Sequence, residues 1–244
     1  LFSFSAEKIK VAATPVPHAE ILEVAAPLLK EAGYDLEIVV LTDYVMPNLM
    51  LAEKEVDANF FQHKPYFEDF IQNHQLDLVS IGNVHLEPFA AYSTKIKSLD
   101  ELKKGDRISL PNDPANEARA LLILDQEGVI KLKDRSNILS TIVDIADNPK
   151  KITFLELEAP ILPNSLDEVA VSLINTNFAL DAGLNPVKDA LVIESSDSPY
   201  ANLVAVRRGD EENEKSKKLM EALHSPEVKK FIEEKYEGAI IPSF

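Results

Sequence analysis

Cysteine and tryptophan are both missing from this 244-residue chain. Zero cysteine excludes disulfides, thiolate nucleophiles and cysteine-based zinc sites. It leaves the compartment open, because bacterial exported proteins often manage without disulfides. Glycine is scarce, with 7 residues against 15 prolines, so the chain reads as rich in firm turns and poor in flexible linkers. No apolar run reaches the roughly 18 to 20 residues that span a bilayer. No signal-peptide pattern occurs at Leu1 to Lys10. Two readings stay open: a cytosolic chain, or a trimmed mature one with Leu1 to Ala6 as a processing remnant. Positive charge is also short. Lysine and arginine total 25 against 41 acidic residues, for a net charge of −16. Such a surface repels a phosphate backbone, so nucleic acid is not an expected partner. The acidity reads as a device for solubility.

Several reactive motifs are missing too. Neither Gly-x-Gly-x-x-Gly nor Gly-x-x-x-x-Gly-Lys-Ser/Thr occurs, and Gly-x-Ser-x-Gly is absent. The five histidines (His18, His63, His74, His85, His224) are scattered, with no His-x-x-x-His pair. No metal site and no cofactor are therefore expected.

What remains is a globular composition, 45% hydrophobic and 27% charged, long enough for two lobes of ordinary size. Strand-like and helix-like periods alternate along it. Strands are expected at Lys8 to Thr14, Asp35 to Thr42, Val56 to Phe61 and Leu78 to Val84. Helices are expected at His18 to Gly33, Pro47 to Lys54 and Lys64 to Gln75. Ser98-Leu-Asp-Glu101 reads as a capping box opening a short helix. Further strands are expected at Arg107 to Leu110, Ile152 to Leu157, Val169 to Ile174 and Tyr200 to Arg207. Asp113 and Pro114 open a helix that Gly128 ends, and two helices, Glu211 to Leu223 and Pro226 to Tyr236, close the chain. The alternation implies an α/β fold with parallel sheets covered on both faces. Ligands bind such sheets at the carboxyl ends of strands. Two lobes without a linker imply that one is inserted in the other, with crossings near Glu87 to Tyr92 and Ser195 to Tyr200. The expected lobes are 7–88 with 199–244, and 89–198.

Polar residues follow the strands where ligands would bind. In Asn112-Asp-Pro-Ala-Asn116-Glu-Ala-Arg119, a helix begins directly after a strand. Its free backbone N–H groups and positive dipole end suit an anion. Asn116 and Arg119 share a helix face, and the planar guanidinium fits a carboxylate with two hydrogen bonds. An arginine in a surface ion pair is the competing reading. Asn59-Phe-Phe-Gln-His-Lys-Pro-Tyr66 clusters aromatics at a strand end. Phe61 and His63 lie on one side if the strand extends that far. Aromatic walls suit a thioether, whereas the spacing alone favours plain core packing by Phe60 and Phe61. His85 and Tyr92 flank Pro88 in another strand-to-loop passage. Asn175 and Asn202 lie in or beside apolar strand sequence and need partners from backbone or ligand. Glu156 and Glu158 fall on one face of a strand, as an acid/base pair, a solvated strand end, or a receiver for an ammonium.

At these residues the chain resembles the methionine-binding lipoproteins of bacterial methionine importers, the NlpA/MetQ lipoprotein family. The matching stretches are Ala13-Thr-Pro-Val-Pro-His-Ala-Glu-Ile21, Asp43-Tyr-Val-Met-Pro-Asn48, Asp57-Ala-Asn-Phe-Phe-Gln-His-Lys-Pro-Tyr66 and His85-Leu-Glu-Pro88. They continue with Pro111-Asn-Asp-Pro-Ala-Asn116, Arg119, Leu157-Glu-Ala159, Ile174-Asn175, Ser198-Pro-Tyr-Ala-Asn202 and Ile241-Pro-Ser-Phe244. The resemblance runs from about Lys8 to Phe244. It implies a two-lobed periplasmic-binding-protein fold, type II-like, that closes around one amino acid in a cleft between the lobes. It implies that Arg119 holds the ligand carboxylate and that Asn116, Asn175 and Asn202 hold its polar end. Phe61, His63, Tyr66, His85 and Tyr92 would wall the side-chain pocket. The implied protein is no enzyme. It is a monomeric extracytoplasmic receptor that delivers methionine, L-methionine first, to the permease and ATPase subunits of an ABC transporter. The family is anchored to the cell membrane by a lipidated cysteine, which this sequence does not contain. A methionine-containing dipeptide such as glycyl-methionine, or another amino acid, is the nearest alternative ligand. An amino-acid-processing enzyme using Glu156 and Glu158 is the alternative of another class.

Overall fold

The computed structural model describes residues 6–196 and 198–244. Residues 1–5, most of the segment read as a processing remnant, lie outside the described residues. In chain order the strands and helices are β1 (Glu7–Ala13), α1 (Glu20–Glu31), β2 (Tyr34–Val40), α2 (Met46–Ala52), β3 (Ala58–His63), α3 (Lys64–His74) and β4 (Leu78–Leu86). There follow β5 (Ala90–Tyr92), β6 (Arg107–Pro111), α4 (Pro114–Gln126), β7 (Lys131–Leu132), β8 (Ile145–Asp147), β9 (Thr153–Leu157), β10 (Val171–Ile174), α5 (Thr176–Asp181), α6 (Pro186–Asp189) and β11 (Val192–Ile193). The chain closes with β12 (Ala201–Arg207), α7 (Glu214–Leu223), α8 (Pro226–Tyr236) and β13 (Ile241–Pro242). Two compact units result: Leu1–Glu87 with Pro199–Phe244, and Pro88–Ser198.

The first unit is built on a six-stranded sheet in the order β13-β4-β12-β3-β1-β2. Val11, Ala12 and Ala13 of β1 are wholly buried, as expected of a strand covered on both faces. Helix α1 buries Ile21, Leu22, Ala25 and Leu29, one face at helical spacing, and the chain then turns at Gly33 with φ +91°. The second unit holds a five-stranded sheet, β11-β5-β10-β6-β9, and the small pair β7-β8. Ile108, Leu110, Leu121, Leu124, Val171 and Leu173 form its centre.

The expectation of purely parallel sheets is corrected. Strand β1 is parallel to β2 and β3, but β12 runs antiparallel to both β3 and β4. The reason lies at the crossings. The chain leaves the first unit after Leu86 and re-enters at Ala201, and these two residues are paired. A chain that leaves and returns at the same end of a sheet must run back against the strand it left. In the second unit β5 is antiparallel to β10 and β11, whereas β6 is parallel to β9 and β10.

Other boundaries moved as well. The short helix expected at Ser98 is a 3-10 helix, Leu99–Glu101, and its capping bonds are not those of a capping box. Ser98 Oγ accepts from the Asp100 N–H, and Glu101 Oε1 accepts from the Lys97 N–H. Strand β9 stops at Leu157, so Glu158 lies beyond it. Residues Thr176–Asp181, for which no element was expected, form a helix.

Candidate functional site

In the second unit, β6 feeds directly into α4. Asp113 is the N-cap: its Oδ1 accepts from the Asn116 N–H at 2.9 Å, and Pro114 follows at the first helical position. The same carboxylate holds the Asn116 side chain, whose Nδ2 donates to Oδ1 and Oδ2, each at 3.0 Å. Asn116 Oδ1 in turn accepts from Asn175 Nδ2 at 3.0 Å. Asn175 is 5% exposed, yet its Oδ1 has no hydrogen-bond partner among the described residues.

Arg119, one turn along the same face, is 3% exposed. Its Nε and Nη2 donate to Glu194 Oε1 and Oε2 at 2.9 and 2.5 Å. The guanidinium carbon stands 5.2 Å from the centre of the Phe89 ring, within cation–π range. The backbone of Phe89 also donates to Glu194 Oε2 at 3.2 Å. The competing reading of Arg119 as half of an ion pair therefore holds in part, although the pair is buried. It engages Nε and Nη2 of the guanidinium. Sequence reasoning missed Glu194, which stands 75 residues from Arg119. Tyr92 lies on β5 and is 1% exposed, and its hydroxyl makes no hydrogen bond of good geometry among the described residues. Burial pushes that phenol up, and the charge of Asp189 adds to the effect.

In the first unit, β3 runs on to His63, and its register with β12 skips from Phe60 to Gln62. Phe61 is the extra residue of a bulge. His63 caps α3: its Nδ1 accepts from the Tyr66 N–H at 3.2 Å. Tyr66 donates its hydroxyl to the Tyr44 carbonyl at 2.6 Å. Tyr44, Phe61 and Tyr66 form a ring group with centroids 5.6 to 6.1 Å apart. His63 joins it, 6.3 Å from Tyr66 and 5.1 Å from Tyr200. Tyr44 and Tyr200 were not foreseen as site residues, although both sit inside motifs that carried the resemblance. Asn59 and Gln62 have a structural task instead. With Asn48 they form a closed, buried amide network with bonds of 2.8 to 3.0 Å.

Strand β12 carries Asn202 between His63 on β3 and His85 on β4. His85 groups with His18, Phe60 and Glu87, not with the Tyr44–Phe61–Tyr66 rings. It stands beside Asn202 on the neighbouring strand. His18 Nε2 lies 2.9 Å from Asn202 Oδ1 and 3.2 Å from Glu87 Oε1, while its Nδ1 lies 2.7 Å from Thr14 Oγ1. A proton on Nε2 serves both oxygens and leaves Nδ1 to accept from the threonine. The spacing of the histidines gave no hint of this cluster. The ligating atoms of His18, His85 and Glu87 all lie within 4.8 Å of one another, a set of the kind that can hold a metal. Hydrogen bonds to Glu87, Asn202 and Thr14 already use most of these atoms. Burial holds His18 down to about 4, against the pull of Glu87, and His85 down to about 3, so both rings are neutral at pH 7.

Glu156 and Glu158 are both exposed, and only Glu156 is on β9. The nearby acid with the perturbed environment is Glu117, which is buried and raised to about 7 by desolvation despite the Ile142 N–H it accepts.

A family model described as NlpA lipoprotein matches residues 9–244. The chain belongs to the NlpA lipoprotein family. This NlpA-family protein is 47% identical over 241 residues to the methionine-binding lipoprotein MetQ of Bacillus subtilis (strain 168), covering 97% of this chain and 88% of that protein. It superposes with a TM-score of 0.95 and 44% identity on a nutrient binding protein from Burkholderia cenocepacia bound to methionine, covering 97% of this chain and 100% of that one. An ABC transporter periplasmic substrate-binding protein from Coxiella burnetii gives 0.92 and 43%, over 96% of this chain and 100% of that one. The fold is therefore that of the periplasmic substrate-binding proteins. The NlpA-family protein is a solute-binding protein rather than an enzyme. Among the described residues no helix is long and apolar enough to cross a membrane.

Proposed function

We propose that this protein is an extracytoplasmic receptor that captures methionine, L-methionine before its D-isomer, and hands it to the permease and ATPase subunits of an ABC importer. A lipid anchor at the membrane is part of the same proposal. The observation that carries it is the ring group of Tyr44, Phe61, Tyr66 and His63 at the end of β3. Sulfur–aromatic contacts contribute roughly 0.3 to 1.5 kcal/mol each, which an aliphatic side chain of the same length does not gain. The methionine-bound relative supports the same ligand.

The polar residues take separate tasks. Arg119, held by Glu194, is the cation assigned to the ligand carboxylate. Asn202 has its Oδ1 against His18, so it would donate to the ligand through Nδ2. Asn116 and Asn175 serve the amino end. His85 stands beside Asn202 on the neighbouring strand.

Melting the protein after it has been unfolded, dialysed and refolded tests the ligand. At a thousandfold excess over Kd a ligand adds about 4 kcal/mol, or roughly 8 to 16 °C in a chain of this size. L-Methionine is expected to give such a shift, while leucine and glutamine give none. A shift with glycyl-methionine or another amino acid, and none with methionine, would reassign the ligand.

A further inference from the structure

We infer that Asp113 is a positioning residue that fixes the direction of an amide relay, so that Asn175 offers the ligand an acceptor. The inference deepens the proposed function and rests on its reading of an amino-acid receptor.

The direction of the relay follows from what each group can do. A carboxylate accepts and does not donate. Asn116 Nδ2 lies 3.0 Å from both oxygens of Asp113, so the Asn116 amide has its nitrogen toward Asp113 and its oxygen away. That oxygen can only accept, so Asn175 must meet it with Nδ2, at 3.0 Å. Asn175 Oδ1 is then left outermost. It is buried and has no hydrogen-bond partner among the described residues. Two amides that could each sit either way round are thus set by one fixed charge 62 residues away in sequence from the last of them.

A buried acceptor without a donor is a demand on the ligand. An ammonium meets it with three N–H groups. A carboxylic acid that lacks the amino group leaves it unpaired, and sites built around such a bond discriminate strongly against analogues that lack the partner. Asp113 would thereby select for an α-amino group without touching it.

The test compares L-methionine with 4-(methylthio)butanoate, the same molecule without its amino group, by calorimetric titration of unfolded, dialysed and refolded protein. Asp113→Asn keeps the helix cap, since asparagine caps as well as aspartate. It weakens the fixed direction, because a capping amide keeps its oxygen at the Oδ1 position and puts an NH2 group at the Oδ2 position, where Asn116 Nδ2 then finds no acceptor. Wild-type protein should prefer methionine by at least about a hundredfold. In Asp113→Asn that preference should fall at least about tenfold, with melting temperature nearly unchanged. Asp113→Ser, which also caps but is too short to hold the Asn116 side chain, should behave alike. Equal weakening of both ligands, as a merely structural role would give, overturns the inference. So does an unchanged preference.

If wild-type protein binds neither molecule, the methionine reading fails by itself. The relay is then read from the side-chain amide resonance of Asn175 in ligand-free protein. It should move on Asp113→Asn; a resonance that stays in place overturns the relay.

Discussion

Replacing Arg119 by alanine should do two different kinds of damage, and the structure separates them. The first is to folding. Arg119 and Glu194 are buried together, with side-chain exposures of 3% and 10%. Removing one member of a buried pair leaves an uncompensated charge, at a cost of about 3 to 5 kcal/mol. In a chain of this size that lowers the melting temperature by roughly 6 to 20 °C. The second is to binding. Loss of a charged partner for the ligand carboxylate costs about 2 to 5 kcal/mol, or on the order of 30- to several-thousand-fold in affinity. A cycle with Glu194→Ala tells the two apart. The double variant has no stranded carboxylate and should melt above Arg119→Ala. Its affinity for methionine should stay as low as in the single variant. Differential scanning calorimetry and titration calorimetry on the four proteins give both readings. If the double variant regains methionine affinity together with stability, Arg119 does not hold the ligand and only props up Glu194.

Two further outcomes follow from single groups. His18 and His85 have folded values of about 4 and about 3, below the usual 6.5, so the native state binds fewer protons than the unfolded state between these values. Their contribution is complete above pH 6.5 and is lost as pH falls, at up to about 1.4 kcal/mol per pH unit for each ring. Glu117, raised to about 7, acts in the opposite sense: stability is lost as pH rises from 4.5 through 7. Urea unfolding should therefore show a net loss from pH 6 to pH 5, and Glu117→Gln should steepen it; a variant whose stability rises over that interval would refute the assignment. Tyr44→Leu removes one ring beside Phe61 and the backbone carbonyl partner of Tyr66 stays in place. It should weaken methionine several-fold while altering norleucine, the sulfur-free analogue, much less, and equal weakening would count against thioether recognition by the rings.

What could be read from the sequence was local. Asp113-Pro114 after a strand gave the start of α4, and its spacing put Asn116 and Arg119 on one face. The aromatic stretch at the end of β3 was equally plain. Contacts that depend on the return of the chain were not. Glu194 reaches Arg119 from 75 positions away, and nothing in the stretch around it marks an ion-pair partner. His18 and Asn202 are 184 positions apart. Their meeting requires β12 to lie antiparallel beside β3 and β4, and the strand-helix alternation had implied parallel sheets. Side-chain amides posed a subtler problem. Asn116, Asn175 and Asn202 looked interchangeable as sequence, since each can donate or accept. The carboxylate of Asp113 and the ring of His18 make them different, and only the fold brings those groups to them.

Titration calorimetry of L-methionine into unfolded, dialysed and refolded protein tests the central claim most directly, because it starts from an emptied receptor. Tight one-to-one heat, with leucine and glutamine silent, is the expected result. No heat from methionine, in protein that melts cooperatively and is therefore refolded, would contradict it.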